Sequence, residues 1–209
     1  MRETSLIKIR LVLCVLRRDM LDIREELYEN PIIMAIKDGK DLRESLKEEY
    51  SDNKLVFVLY GNIESLPTIV KKLKSKNKIV FVHEGLIEGL SSSRYSPSFI
   101  KKYTEADGII TTRAQNAYEA RKIGLKSVLR FFLLDSLSYE SVKDTIKNTS
   151  ADLLEILPGI MPKIIEEITG WSQVPLIGGG LIRDKEDAMA ALKAGAIGVS
   201  SSNTKIWKM

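Results

Sequence analysis

The sequence predicts a single α/β domain built as a compact (β/α)8 barrel of the TIM type, and three observations carry that expectation. From Asn30 onward short β-rich runs alternate with stretches of helical periodicity, the strand cores are nearly continuous apolar runs, and eight such units fit within 209 residues. Continuous apolar strands are what a parallel sheet needs when helices cover one face and a core fills the other; an antiparallel sandwich would alternate. Units of about 24 residues suit a closed barrel with short loops, because the fold typically runs to about 250 residues. An open doubly wound sheet of the same elements is the alternative, but its glycine fingerprint belongs after the first strand, where only Asp38-Gly39 stands.

The elements follow in order. Residues 1–29 are read as an N-terminal extension outside the barrel. Within it LIKIRLVLCVL (6–16) is apolar and basic, but its uninterrupted apolar run is too short for a signal core or a membrane span. The extension is either packed on the barrel or lies ahead of an alternative start at Met20. Residues 30–209 form the barrel domain. Its expected strands are PIIMAIK (31–37), KLVFVLYG (54–61), KIVFVHEG (78–85), GIITT (108–112), KSVLRFFLLD (126–135), DLLEILPG (152–159), VPLIGGG (174–180) and AIGVSSS (196–202). Amphipathic segments such as LPTIVKKLKS, AQNAYEARKIG and KEDAMAALKAGA separate them, several ending in Gly or Asn as helices do.

Composition narrows the class. With 44% hydrophobic and 29% charged residues the chain reads as a soluble globular protein. Its one cysteine, Cys14, excludes an intramolecular disulfide and suits a reducing cytoplasm. The net charge of +4 is compatible with a polyanionic partner and too small to decide for one.

The chemistry-bearing residues gather at the strand ends where barrel sites are built. The last two loops of this fold commonly hold a phosphate through backbone N–H groups. Here they offer Gly178-Gly179-Gly180 after strand seven and Ser200 to Thr204, with Ser201, Ser202 and Asn203, after strand eight. Tight-turn glycines and a serine N-cap are the plain alternative. His83, Arg113, Arg130 and Glu155 add polar groups on or after strands three to six. An Arg130–Glu155 ion pair across neighbouring strands would explain both charges; contact with ligand hydroxyls is the functional reading. His83, the only histidine, makes no zinc site with a remote cysteine, and no catalytic triad or Walker lysine motif is present, so no catalytic residue, metal or cofactor is assigned.

The densest basic run holds Lys71, Lys72, Lys74 and Lys76, a solvated helix end or a contact for RNA. Tyr95, Phe99, Tyr103 and Tyr118 recur near basic residues, and the spacing from 95 to 103 suits one helix face packed in the core.

Taken together, GIITTR (108–113), RFFLLDS (130–136), LEILPGIMPKII (154–165), PLIGGGLI (175–182) and ALKAGAIGVSSSNTKIW (191–207) resemble the glycerol-3-phosphate-responsive antiterminator family, and VHEGLIEG (82–89) resembles its histidine-containing third strand. The likeness spans roughly residues 30–208. It implies a cytoplasmic regulator that, with glycerol 3-phosphate bound, associates with leader mRNA of glycerol-utilisation genes and allows transcription past a terminator. With that effector the phosphate belongs at Gly179, Gly180, Ser201 and Asn203, and strand position aims Glu155, Arg130 and His83 at the glycerol end. One departure concerns the ligand: where the family has an aspartate two positions after the histidine, this chain has Gly85, with Glu84 one position earlier.

The preferred reading is a ligand-gated RNA-binding regulator in which phosphate binding orders the late loops and favours an RNA-competent state or a dimer. The rival is a barrel enzyme on a small phosphorylated substrate, an isomerase, synthase or glycerol-phosphate prenyltransferase, with Glu155 or Asp135 as general base. A barrel kept as a protein-interaction module is the third class; it expects no small-molecule binding.

Overall fold

The computed structural model describes residues 23–91 and 93–209; the expectations for Cys14 and for a start at Met20 fall outside them. Eight parallel strands close a barrel in sequence order, β1 (Ile32–Ile36), β2 (Leu55–Val58), β3 (Ile79–His83), β4 (Gly108–Thr111), β5 (Lys126–Phe132), β6 (Leu153–Leu157), β7 (Leu176–Gly179) and β8 (Gly198–Ser201). Pairing of β8 with β1, Val199 opposite Ile32 and Ser201 opposite Met34, completes the ring and rules out the open sheet. No helix among the described residues is long and apolar enough to cross a membrane.

The helices are α1 (Ile23–Glu29), α2 (Gly39–Ser45), α3 (Leu66–Lys74), α4 (Ser96–Tyr103), α5 (Ala114–Lys122), α6 (Ser136–Ile146), α7 (Pro162–Trp171) and α8 (Lys185–Lys193). Local chemistry sets their starts. Asp38, Asp135 and Asp184 accept hydrogen bonds from first-turn backbone N–H groups of α2, α6 and α8, and proline opens α3, α4 and α7, where its missing donor costs nothing.

Strand alternation divides the core. One set of side chains faces the helices; the other, including Ile33, Phe57, Phe81, Val128, Leu153 and Ile177, fills the lumen. Ile23 and Leu27 of α1 join the lumen set, so this helix packs where the strands begin. Gly198 makes room for it, since a Cβ there would lie 2.9 Å from Leu27 Cδ2. After β8 the chain turns into a 3-10 helix, Ile206–Lys208, not a regular α-helix. Trp207 is 1% exposed, meets Tyr50 edge-on at 5.6 Å and donates its indole N–H to the Ser201 carbonyl at 2.7 Å.

The strands are shorter than the sequence predicts, most of all β2, with four residues where eight were expected; β5 ends at Phe132 instead of Asp135. The apolar run continues into the loop, where Leu134 is 85% exposed.

Candidate functional site

Alternation carries a polar layer above the apolar lumen. Arg130 follows Val128, Glu155 follows Leu153, His83 follows Phe81, Gly179 follows Ile177 and Ser200 follows Gly198, each two residues on and so on the same face. Arg130 and Glu155 are register partners on β5 and β6. Arg130 donates from Nε to Glu155 Oε2 at 2.6 Å, and Ser200 donates its hydroxyl to Oε1 at 2.6 Å. Glu155 is 0% exposed, so its charge is held by these two donors alone among the described residues. The pair foreseen as the plain explanation for both charges is present. It uses only Nε, which leaves the outer edge of the guanidinium for a ligand.

His83 lies in the same layer, buried, with its pKa lowered to about 4 by burial and by the Arg130 charge. The imidazole is therefore neutral at pH 7. Its Nδ1 is buried with no hydrogen-bond partner among the described residues. Such an atom forfeits about 1–3 kcal/mol, which a ligand hydroxyl would restore.

The glycine run after β7 has more than one task. A Cβ on Gly179 would lie 2.4 Å from Glu155 Oε1 and 2.7 Å from Ser200 Oγ, so glycine is required there to admit the buried carboxylate. Gly159, in the loop after β6, donates its N–H to the Gly180 carbonyl at 3.1 Å, and a Cβ on it would meet Gly179 N at 2.7 Å. Gly180 has φ +71° and Leu181 φ +60°, two successive left-handed residues that turn the chain sharply out of β7.

The loops after β7 and β8 are stitched together. Ser201 donates its hydroxyl to the Ile182 carbonyl at 3.0 Å and accepts from Asn203 N at 3.2 Å. Asn203 donates Nδ2 to the Arg183 carbonyl at 2.7 Å. These side chains shape the corner, while Ser202, just past the end of β8, stays exposed. Gly179 and Ser200 are register partners, so the two late corners adjoin.

Arg113 stands apart from that corner. It caps α5 on the far side of the ring, three strands from β7, and its charge lies close enough to Glu84 to favour the ionised carboxylate. Glu84 turns away from the lumen. It accepts from Thr111 Oγ1 and Asn116 Nδ2, both at 2.6 Å, and burial raises its pKa. The Glu84 carboxylate thus lies on the helix-facing side, away from the layer of Arg130, Glu155 and His83. Neither Thr111 nor Asn116 stood out in the sequence; β3 ends at His83 and Glu84 opens a 3-10 turn, so its partners after β3, and not strand parity, set its direction.

The general bases considered for an enzyme are both occupied. Asp135 caps α6, accepting from Ser138 N at 2.8 Å, and this hydrogen bonding holds its carboxyl below the usual range. Glu155 is engaged at both oxygens.

The basic run lies at the opposite end of the barrel, because helices run back against the strands. Lys74 pairs with Asp107 at 2.6 Å; Lys71, Lys72 and Lys76 are exposed. The expectation that Tyr95, Phe99 and Tyr103 share a helix face packed in the core is corrected: Tyr95 and Tyr103 are exposed and Phe99 is half-buried; Tyr118 is exposed as well. The inward stripe of α4 is Ser96, Pro97 and Ile100, and Tyr95 precedes the helix.

Comparison with known proteins agrees with this geometry. The family model described as glycerol-3-phosphate responsive antiterminator matches residues 32–207. The chain is 40% identical over 183 residues to the uncharacterized protein YgcP of Escherichia coli K12, covering 88% of this chain and 94% of that protein. The crystal structure of the glycerol uptake operon antiterminator regulatory protein from Listeria monocytogenes superposes with a TM-score of 0.81 at 30% identity, over 86% of this chain and 95% of that one. A glycerol uptake operon antiterminator-related protein from Thermotoga maritima does so with a TM-score of 0.74 at 35% identity, over 85% and 98%. With its closed barrel, its polar layer around Arg130 and Glu155 and a match over nearly the whole described chain, this protein belongs to the glycerol-3-phosphate-responsive antiterminator family.

Proposed function

We propose that the protein is a glycerol-3-phosphate-responsive antiterminator that binds leader mRNA of glycerol-utilisation genes when its effector occupies the barrel mouth. The observation that carries the ligand half is the unpartnered Nδ1 of His83 beside the Arg130–Glu155 pair, a buried polar surface short of one hydrogen-bonding group. Glycerol hydroxyls supply both donor and acceptor to that surface. The phosphate is assigned to backbone donors around Gly179, Gly180, Ser201, Ser202 and Asn203, at the corner the β7 and β8 loops share.

For the effector to act as a switch, it must bind the RNA-competent state more tightly than the other. The polar layer suits recognition better than proton transfer, because each Glu155 oxygen already accepts from a fixed donor, Arg130 or Ser200, and so serves as a positioned acceptor for ligand hydroxyls. Isothermal titration with glycerol 3-phosphate, followed by gel shift of a leader transcript with and without it, tests the proposal. Effector binding and effector-dependent retardation are expected. RNA affinity that is the same without effector would remove the switch, and turnover of a phosphorylated sugar or triose would favour the enzyme.

A further inference from the structure

Charge is distributed unevenly around the barrel. Residues 66–126, the arc from α3 to the start of β5, carry 12 Lys and Arg against 5 Asp and Glu, whereas the rest of the chain carries 20 against 23. The excess is concentrated where the helices of this arc end: Lys71, Lys72 and Lys76 at α3, Lys101 and Lys102 at α4, Arg121 and Lys122 at α5. Exposed aromatic rings lie among these cations. Tyr103 is 52% exposed with Lys102 Nζ 5.2 Å from its ring centre, and Tyr118 is 46% exposed with Lys122 Nζ at 4.7 Å. Lys101 Nζ donates to the Gly124 carbonyl at 3.2 Å, which ties the ends of α4 and α5 side by side.

Tyr103 also packs on the half-buried Phe99, with ring centroids 4.8 Å apart, and still keeps 52% of its surface in water. An exposed tyrosine face beside cations offers a stacking surface with a phosphate-neutralising charge next to it, the combination by which single-stranded nucleic acid is held. From this we infer that the outer face of α4 and α5, extended by the end of α3, is the single-stranded RNA surface of the protein, with Tyr103 and Tyr118 stacking on unpaired bases and Lys102, Arg121 and Lys122 contacting phosphates. The inference rests on the RNA-binding reading above and adds the place and the mode. The arc is joined to the mouth: Glu84, next in the chain to His83, accepts a hydrogen bond from Asn116 of α5.

Filter binding of a random-sequence single-stranded RNA pool, with saturating glycerol 3-phosphate, tests the surface in the full chain. Tyr103→Ala with Tyr118→Ala is expected to weaken binding at least about tenfold. Tyr103→Phe with Tyr118→Phe should retain it, because the stacking face survives. Lys102→Gln with Arg121→Gln should lower the slope of log K against log salt by about 1.4. Lys163→Gln, an exposed lysine on α7 outside the arc, should match wild type. Melting temperatures near wild type would exclude misfolding of the surface variants. Wild-type binding that the alanine and glutamine variants share would overturn this surface and leave the RNA-binding reading standing. A wild-type protein that binds no RNA with effector present would overturn both. Weakening by the glutamine variants alone would leave a polyanion patch and refute stacking.

Discussion

Removing the arginine of the buried pair separates structure from recognition. In Arg130→Met, Glu155 keeps only the Ser200 hydroxyl and stays fully buried. Stranding one member of such a pair costs about 3–5 kcal/mol. For a chain of this size each kcal/mol moves the melting temperature by about 2–4 °C, so a fall of about 6–20 °C is expected. The double variant Arg130→Met, Glu155→Gln removes the stranded charge and keeps an acceptor for Ser200, and it should recover most of that loss. Melting by circular dichroism reads both, and titration with glycerol 3-phosphate reads the double variant's affinity. Restored stability without effector binding is the expected combination. A single variant within about 2 °C of wild type would refute the energetic reasoning, and a stable double variant with wild-type affinity would reduce the pair to scaffolding.

The other expectations concern the surroundings of the pair. His83 is held neutral, with a folded-state pKa of about 4 below its ordinary 6.5, so its contribution to stability is full above pH 6.5 and is lost as pH falls toward 4. The loss amounts to about 3 kcal/mol, and His83→Asn should flatten the measured dependence across that window. Glu84 shifts the opposite way, and a raised carboxyl pKa works against folding as the pH rises through it. Glu84→Gln, which keeps an acceptor for Thr111 and Asn116, should therefore gain stability relative to wild type as the pH is raised from the acid side, whereas Glu84→Leu, which leaves both donors unpartnered, should be destabilised throughout. Trp207→Ala empties a fully buried site and frees the Ser201 carbonyl; a loss of about 3–5 kcal/mol is expected by urea denaturation, with weaker effector binding because the β8 corner loosens.

The barrel was readable in the chain because burial on both faces leaves unbroken apolar strands such as IIMAI and LVFV, which few other arrangements require. Strand ends were not, since Leu133 and Leu134 after Phe132 continue the apolar run although pairing with β6 stops at Phe132. At the site, Arg130 and Glu155 were legible as charges in apolar runs. The reason for Gly179 was not: its missing Cβ makes way for a side chain of the neighbouring strand, a contact that sequence separation conceals. The direction of Glu84 was not legible, because it lies past the end of β3 and its partners Thr111 and Asn116 are remote in sequence. Tyr95, Phe99 and Tyr103 follow a helical spacing that suits either side of an amphipathic helix, and packing through Ser96, Pro97 and Ile100 turned that face toward solvent.

Crystals grown with glycerol 3-phosphate test the central claim most directly. We expect the phosphate between the loops after β7 and β8, within hydrogen-bonding distance of backbone N–H groups near Gly180 and Ser202, and the glycerol hydroxyls on Arg130, Glu155 and His83 Nδ1. An effector bound elsewhere, or a mouth left empty at saturating concentration, would contradict it.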